Sequence, residues 1–216
     1  QDAIDRLEDI FAKMEKNKLE SGSIEKMDSY DIEFENVGFK YEEGVNVLSD
    51  FNLKLEAGKV YALVGSSGSG KSTIAKLISG FYPVSSGQLK IGGRDIKEYT
   101  SKVLERNVAF VFQKSKLFKT SIYENVRLAR PESSHEEVMR ALDMAMCSSI
   151  LDKFETREET IIGAKGVHLS GGEMQRIAVA RAILKDAPIV ILDEASAASD
   201  PENEYEMQRA FKALMR

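Results

Sequence analysis

Several residue types are scarce in this chain, and each scarcity narrows what the protein can be. One cysteine, Cys147, stands among 216 residues, so no disulfide can form within the chain and a reducing compartment is expected. Cys147 reads as a small buried apolar residue. There are two histidines, His135 and His168, which read as a helix-surface and a loop residue. No apolar run approaches the ~18 residues that a membrane helix requires. The chain itself is expected to span nothing, which leaves room for a membrane partner or a membrane domain in the same polypeptide. The first residues, QDAIDRLEDI, mix acids into the apolar stretch, unlike a secretory signal. Positive charge is not in excess: 30 Lys and Arg against 35 Asp and Glu give a net charge of −5. That argues against wholesale binding to a nucleic-acid backbone. No internal repeat or low-complexity tract is visible. The remainder, 43% hydrophobic and 30% charged, is ordinary for a globular protein with one sizeable core.

Against this background one nonapeptide stands out. Gly65–Thr73 reads GSSGSGKST and fits the phosphate-loop pattern G-x-x-x-x-G-K-S/T, with Gly65, Gly70, Lys71 and Ser72 in the fixed places. Such a loop turns successive backbone N–H groups inward onto a polyphosphate, and a Cβ would block the approach. Gly65, Ser66, Ser67, Gly68, Ser69, Gly70, Lys71, Ser72 and Thr73 are therefore candidate nucleotide-binding residues. Lys71 is expected to reach the β- and γ-phosphates, and Ser72 to hold Mg2+. Lys59–Val64 is expected to be a buried strand before the loop. A helix is expected to begin at Ser72, its positive end facing the phosphates.

A second constellation lies at Ile189–Glu194. Four apolar residues form an expected central strand, and Asp193 and Glu194 sit at its carboxyl end, where ligands bind in open α/β sheets. Asp193 is placed to orient the Mg2+ site, and Glu194 to polarise the water that attacks a γ-phosphate. A third is Leu169–Glu173, LSGGE. Ser170 and Glu173 form a capping box that opens a helix to about Leu184. Gly171 and Gly172 at its first positions are poor helix formers, costing roughly 1 kcal/mol each in a helix interior. They make sense if a ligand must touch the backbone there.

The rest of the chain supplies the frame. Apolar spacing over Asp2–Lys16 predicts an amphipathic helix, and polar Asn17–Ser29 a linker. Ile32, Phe34, Val37, Phe39 and Tyr41 alternate with a slip at Asn36, predicting a bulged strand. Leu48–Leu55, Gln88–Ile91 and Val108–Phe112 are further strands. Ser133 and Glu136 predict a capping box for a helix that buries Val138, Ala141, Leu142 and Ala145. Met139, Met144 and Met146 read as packing material. Asp152–Glu159 reads as a solvated acidic surface. Pro201 suits the first turn of a last helix.

Taken together, these motifs resemble the nucleotide-binding domain of an ATP-binding cassette (ABC) transporter over Asp31–Arg216. LSGGE is similar to the family signature LSGGQ. Gln113 resembles the Q-loop glutamine, and Tyr41 the aromatic that stacks on adenine. The resemblance implies an α/β P-loop NTPase with a RecA-like core, an antiparallel β edge and a helical subdomain at about 114–166. It implies ATP and Mg2+ as ligands, with Glu194, Gln113 and Asp193 as catalytic residues and Ser72, Gln113 and Asp193 around the metal. It also implies a head-to-tail dimer, identical or mixed, in which Ser170, Gly171 and Gly172 serve the partner's ATP. Transmembrane domains are the other implied partner, nucleic acid is not one, and the place is the cytoplasmic face of a membrane.

Thr160–Gly166 resembles the T-x-x-G-E-x-G segment of exporter-type members, with Ala164 in place of the Glu. Asp2–Lys16, within residues 1–30, resembles the tether from a membrane domain. The chain is thus expected to come from a longer half-transporter, its C-terminal part and the family's switch histidine missing, and to bind ATP but hydrolyse it slowly. Ala197–Asp200 keeps only the Asp at the end of the family's S-A-L-D dimer loop. Two other readings stay open: a soluble ABC ATPase unattached to a transporter, and a non-catalytic nucleotide-gated module. Intact Lys71, Asp193 and Glu194 speak against the last for the parent protein.

Overall fold

Strand pairing around a bulged central strand organises the first half of the chain. The computed structural model describes residues 22–42, 44–63, 70–112, 115–163, 165–193 and 201–216, so the helix expected at Asp2–Lys16 lies outside the described residues. Strand β1 (Ile32–Lys40) lies between β2 (Asn46–Leu55) and β3 (Ser86–Ile91), both antiparallel to it, and two-residue β4 (Arg94–Asp95) adds to β3. Phe34 faces Leu53 on one side and Leu89 on the other. The register shifts between Phe34 and Val37. Asn36 is left-handed there (φ 50°), its N–H donating to Asn52 Oδ1 (2.9 Å) and its Nδ2 to Asp50 Oδ1 (2.6 Å). The slip moves the buried set from even to odd numbers: Ile32 and Phe34, then Val37 and Phe39, are all at most 7% exposed. Without the extra residue, period-two alternation would turn Val37 and Phe39 to the opposite face.

Helix α1 (Lys71–Ile78) buries Thr73, Ile74, Ala75, Leu77 and Ile78. Helix α2 (Ser101–Asn107) is capped by Thr100 Oγ1, which accepts from Val103 N–H. The tract expected as a linker is instead fixed where it is described. Ile24 N–H donates to Glu98 O (2.9 Å), Thr100 N–H donates to Ile24 O (3.1 Å), and Met27 is buried. The polar composition of residues 17–29 hid the two apolar anchors, Ile24 and Met27.

A second correction concerns the expected strand before the phosphate loop. Lys59–Leu63 forms no ladder among the described residues, and Val60 is 70% exposed. Glu56 N–H donates to Tyr61 Oη (2.9 Å), and the preceding turn is fixed by Ala57 N–H donating to Asp31 Oδ1 (2.7 Å).

The described residues fall into two compact units, divided between Val108 and Ala109. In the second, β5 (Val108–Val111) pairs with β6 (Ile189–Leu192). Helices α3 (Ile122–Arg127), α4 (His135–Met144) and α7 (Pro201–Leu214) pack on α6 (Gly171–Lys185), and short α5 (Ser148–Leu151) follows α4. Val138, Ala141, Leu142 and Ala145 line the buried face of the α4 segment, at most 3% exposed. Its capping box is one residue later than expected, at Ser134 and Glu137. Ser133 Oγ is taken by Arg130 Nε (2.9 Å), and Arg130 also bonds Glu137 (2.6 Å), which selects Glu137 over Glu136. Met139 and Met146 pack against the core, whereas Met144 is 37% exposed. Cys147 is fully buried, and burial pushes its thiol pKa up to about 12, as an inert core residue requires.

Gly87 (φ 76°) lies against the bulge, where a Cβ would overlap the Asn36 carbonyl. Gly87→Val is expected to cost about 2 kcal/mol or more, read as a lower urea midpoint with an unchanged m-value.

Candidate functional site

In the first unit the site is built where β1 and β2 meet the start of α1. Gly65, Ser66, Ser67, Gly68 and Ser69 lie outside the described residues; Gly70, Lys71, Ser72 and Thr73 are described. Gly70 is the N-cap of α1 with φ 94°, a left-handed conformation that favours glycine, and Leu48 and Val47 of β2 press against it. A glycine N-cap offers no side-chain oxygen to the first-turn N–H groups, the arrangement that a bound anion completes. Lys71 is half-buried and Ser72 exposed, while Thr73 is buried. Thr73 Oγ1 and Tyr41 Oη are hydrogen-bonded at 3.1 Å. The Tyr41 ring stands edge-to-face with Phe39 (4.8 Å) and Tyr82 (5.5 Å). Tyr41 is thereby tied to the helix that follows the phosphate loop, with part of its ring exposed.

In the second unit β5 and β6 end side by side. Asp193 N–H donates to Val111 O (2.8 Å), which carries the pairing one residue past β6. Gln113 and Glu194, which follow these exits in the sequence, lie outside the described residues.

The LSGGE turn is described in full. Ser170 Oγ accepts from Glu173 N–H (3.2 Å), and Glu173 Oε1 accepts from Ser170 N–H (3.1 Å), so the expected capping box forms. The cap occupies a lone pair of the Ser170 oxygen and leaves its O–H proton to donate elsewhere. Ser170 and Gly171 are exposed. A Cβ added at Gly171 would meet nothing within 4 Å, and one at Gly172 only the Asn203 side chain at 3.7 Å. Neither glycine has a positive φ. Nothing inside the described protein therefore calls for glycine at these two positions.

Three features here escaped the sequence reading. Lys153 forms an ion pair with Glu173 across 20 residues, a separation with no local signal. Arg176, 3% exposed, bonds Met146 O (2.8 Å), Ser149 Oγ (3.2 Å), Asn203 Oδ1 (3.3 Å) and Glu206. It ties α6 to α7. A charged residue next to the apolar Ile177–Ala180 was the available hint, since a buried guanidinium needs partners. Arg181 donates to Asn125 O (2.8 Å) and Oδ1 (3.2 Å), and fully buried Asn125 in turn holds both backbone groups of Phe118. Burial pulls the Arg181 pKa below its ordinary value.

His135 is exposed, stacked on Tyr123 and 3.3 Å from Glu158, and His168 is an exposed loop residue. In the acidic stretch Asp152 pairs with Arg157. No cluster of metal-ligating side chains occurs among the described residues.

Residues 48–197 match the family described as ABC transporter. The chain belongs to the ABC transporter family. As a member it is a P-loop NTPase domain of mixed α/β build with an antiparallel sheet, and domains of this kind bind nucleotide. It is 44% identical over 204 residues to the ATP-dependent lipid A-core flippase of Escherichia coli (strain K12), and equally to that of Shigella flexneri. The match covers 94% of this chain and 35% of each relative, so the chain spans about a third of the length of the curated relatives it matches. No helix among the described residues is long and apolar enough to cross a membrane.

Two outcomes follow for this ABC signature turn. Gly171→Ala should leave the unfolding free energy unchanged or raise it by at most about 1 kcal/mol, measured by urea unfolding. Partial burial acts to raise the Glu173 pKa, but bonds from Lys153 and Ser170 outweigh it and hold the carboxyl below its ordinary value. Its contribution to stability is then complete above the ordinary glutamate pKa of about 4.3. It fades as pH falls through the depressed folded value. Glu173→Gln should flatten that acid limb in unfolding measured across pH.

Proposed function

We propose that the chain is the ATP-binding and ATP-hydrolysing motor domain of a membrane ABC transporter of the exporter type. The observation that carries this reading is the signature turn. Ser170 and Gly171 are exposed, and two glycines without an internal reason fit a surface built to receive a ligand held by another subunit. The similarity to ATP-dependent lipid A-core flippases supports ATP as the driving ligand and a membrane as the place of action.

In this reading each ATP lies between the phosphate loop of one copy and the signature turn of a second nucleotide-binding domain. The glycine-capped start of α1 fits a phosphate, and the exposed Ser72 fits a cation bound to that phosphate. Mg2+ would be held by Ser72, Gln113 and Asp193 and would offset phosphate charge. Lys71 compensates the β- and γ-phosphates, and Gly65–Gly70 supply backbone donors. Tyr41 stacks on the base, its hydroxyl tethered by Thr73. Glu194 takes the role of polarising the attacking water. From the partner copy, Ser170 donates its O–H proton to the γ-phosphate, and Gly171 and Gly172 bring backbone close. Transmembrane domains are the coupled partner. Gln113 and the helical lobe at about 114–166, where Arg181 and Asn125 hold the segment after Gln113, transmit the nucleotide state at the cytoplasmic face.

Lys71→Ala should weaken ATP binding roughly hundredfold, as expected when a charge-compensating group is lost. Glu194→Gln should retain nucleotide affinity and accumulate an ATP-bound dimer, because only the water-polarising group is removed. Isothermal titration with sedimentation checks both. Wild-type ATP affinity in Lys71→Ala would refute the phosphate-loop role. Undiminished hydrolysis by Glu194→Gln would place the base elsewhere.

A further inference from the structure

The LSGGE turn carries a negative charge at a position where the proposed reading brings in a polyanion. Glu173 is the third residue of α6, good for the helix because a carboxylate complements its positive end. The same carboxylate would repel a γ-phosphate arriving at Ser170 and Gly171. Lys153 removes this conflict. Its Nζ bonds Glu173 Oε2 and stands 5.6 Å from the centre of the Phe154 ring, which steadies it. The Glu173 side chain is 12% exposed and its Oε1 accepts from Ser170 N–H, so its charge sits against the turn, while the Lys153 side chain is 50% exposed. Arg176, the next cation along α6, is already committed to Glu206.

We infer that Lys153 is a positioning residue for nucleotide-dependent association: it cancels the Glu173 charge at the turn that meets the γ-phosphate of a nucleoside triphosphate held by a second copy. The inference rests on the head-to-tail reading above. It orders four proteins by the net charge of the pair. Glu173→Gln leaves the pair positive. The parent and the double variant Lys153→Met/Glu173→Gln are neutral. Lys153→Met is negative.

The experiment measures the dimer dissociation constant by sedimentation with ATP and Mg2+, every protein also carrying Glu194→Gln. Lys153→Met should weaken association roughly threefold to tenfold, the scale of one partly screened charge. The double variant should return to within about twofold of the parent, and Glu173→Gln alone should associate at least as tightly. The Lys153→Met deficit should shrink near about 0.5 M salt, where charge interactions are screened; a packing defect would persist there. ATP affinity of the dilute monomer should not change. Unchanged association of Lys153→Met, failure of the double variant to recover, or a deficit insensitive to salt overturns the inference alone. Should Lys153→Met not fold, weaker association of Glu173→Gln overturns it in the same way. A parent that stays monomeric with ATP bound refutes the head-to-tail reading, and the inference with it.

Discussion

Helix α6 has to be buried along most of its length and yet begin at an exposed turn. Its body is surrounded by α3, α4 and α7, with Ile177, Val179 and Ala180 fully buried. Its first residues, Ser170 and Gly171, stay exposed. Arg176 sits between these regimes. A guanidinium at 3% exposure is tolerable only when paired, and Glu206, Asn203, Ser149 and the Met146 carbonyl supply the partners. The same bonds fix α7, whose Pro201 start follows the segment after Asp193. Helix α6, the stretch from Met146 to Ser149 and the start of the last helix are thus joined by one buried charge.

The first unit solves a different problem with backbone geometry. Its sheet keeps an apolar face through β1 only because the Asn36 bulge switches the parity of the buried residues. Past the bulge, Phe39 forms the aromatic corner with Tyr41 and Tyr82, and Tyr41 reaches Thr73. A change of strand register therefore places an aromatic ring beside the helix that begins at Gly70 and Lys71.

Much of the site was legible because its chemistry demands particular residues at short spacing. Ser170 and Glu173 stand three positions apart at a helix start, the spacing of a capping box. Gly70 is required where the backbone turns left-handed, and Pro201 suits a first helical turn. What was not legible depends on groups distant in sequence. Lys153 reaches Glu173, Arg176 reaches Glu206, and Tyr41 reaches Thr73 only after folding. The capping box at Ser134 was misread by one residue because Arg130, not local pattern, decides between adjacent serines and glutamates. Lys59–Leu63 has the composition of a buried strand, but a strand exists only with a neighbour to pair with, and composition cannot supply one.

By itself the sequence determined the local vocabulary of this protein: the phosphate loop, the acids after the apolar strand, the signature turn and the period-two strands. Each of these follows from forces acting over a few residues, such as backbone sterics, caps and alternation. Tertiary structure alone decided which charges are neutralised and how the functional turns are braced. Folding gives Lys153, Arg176 and Tyr41 partners far away in the sequence, and that choice is made only when distant segments meet.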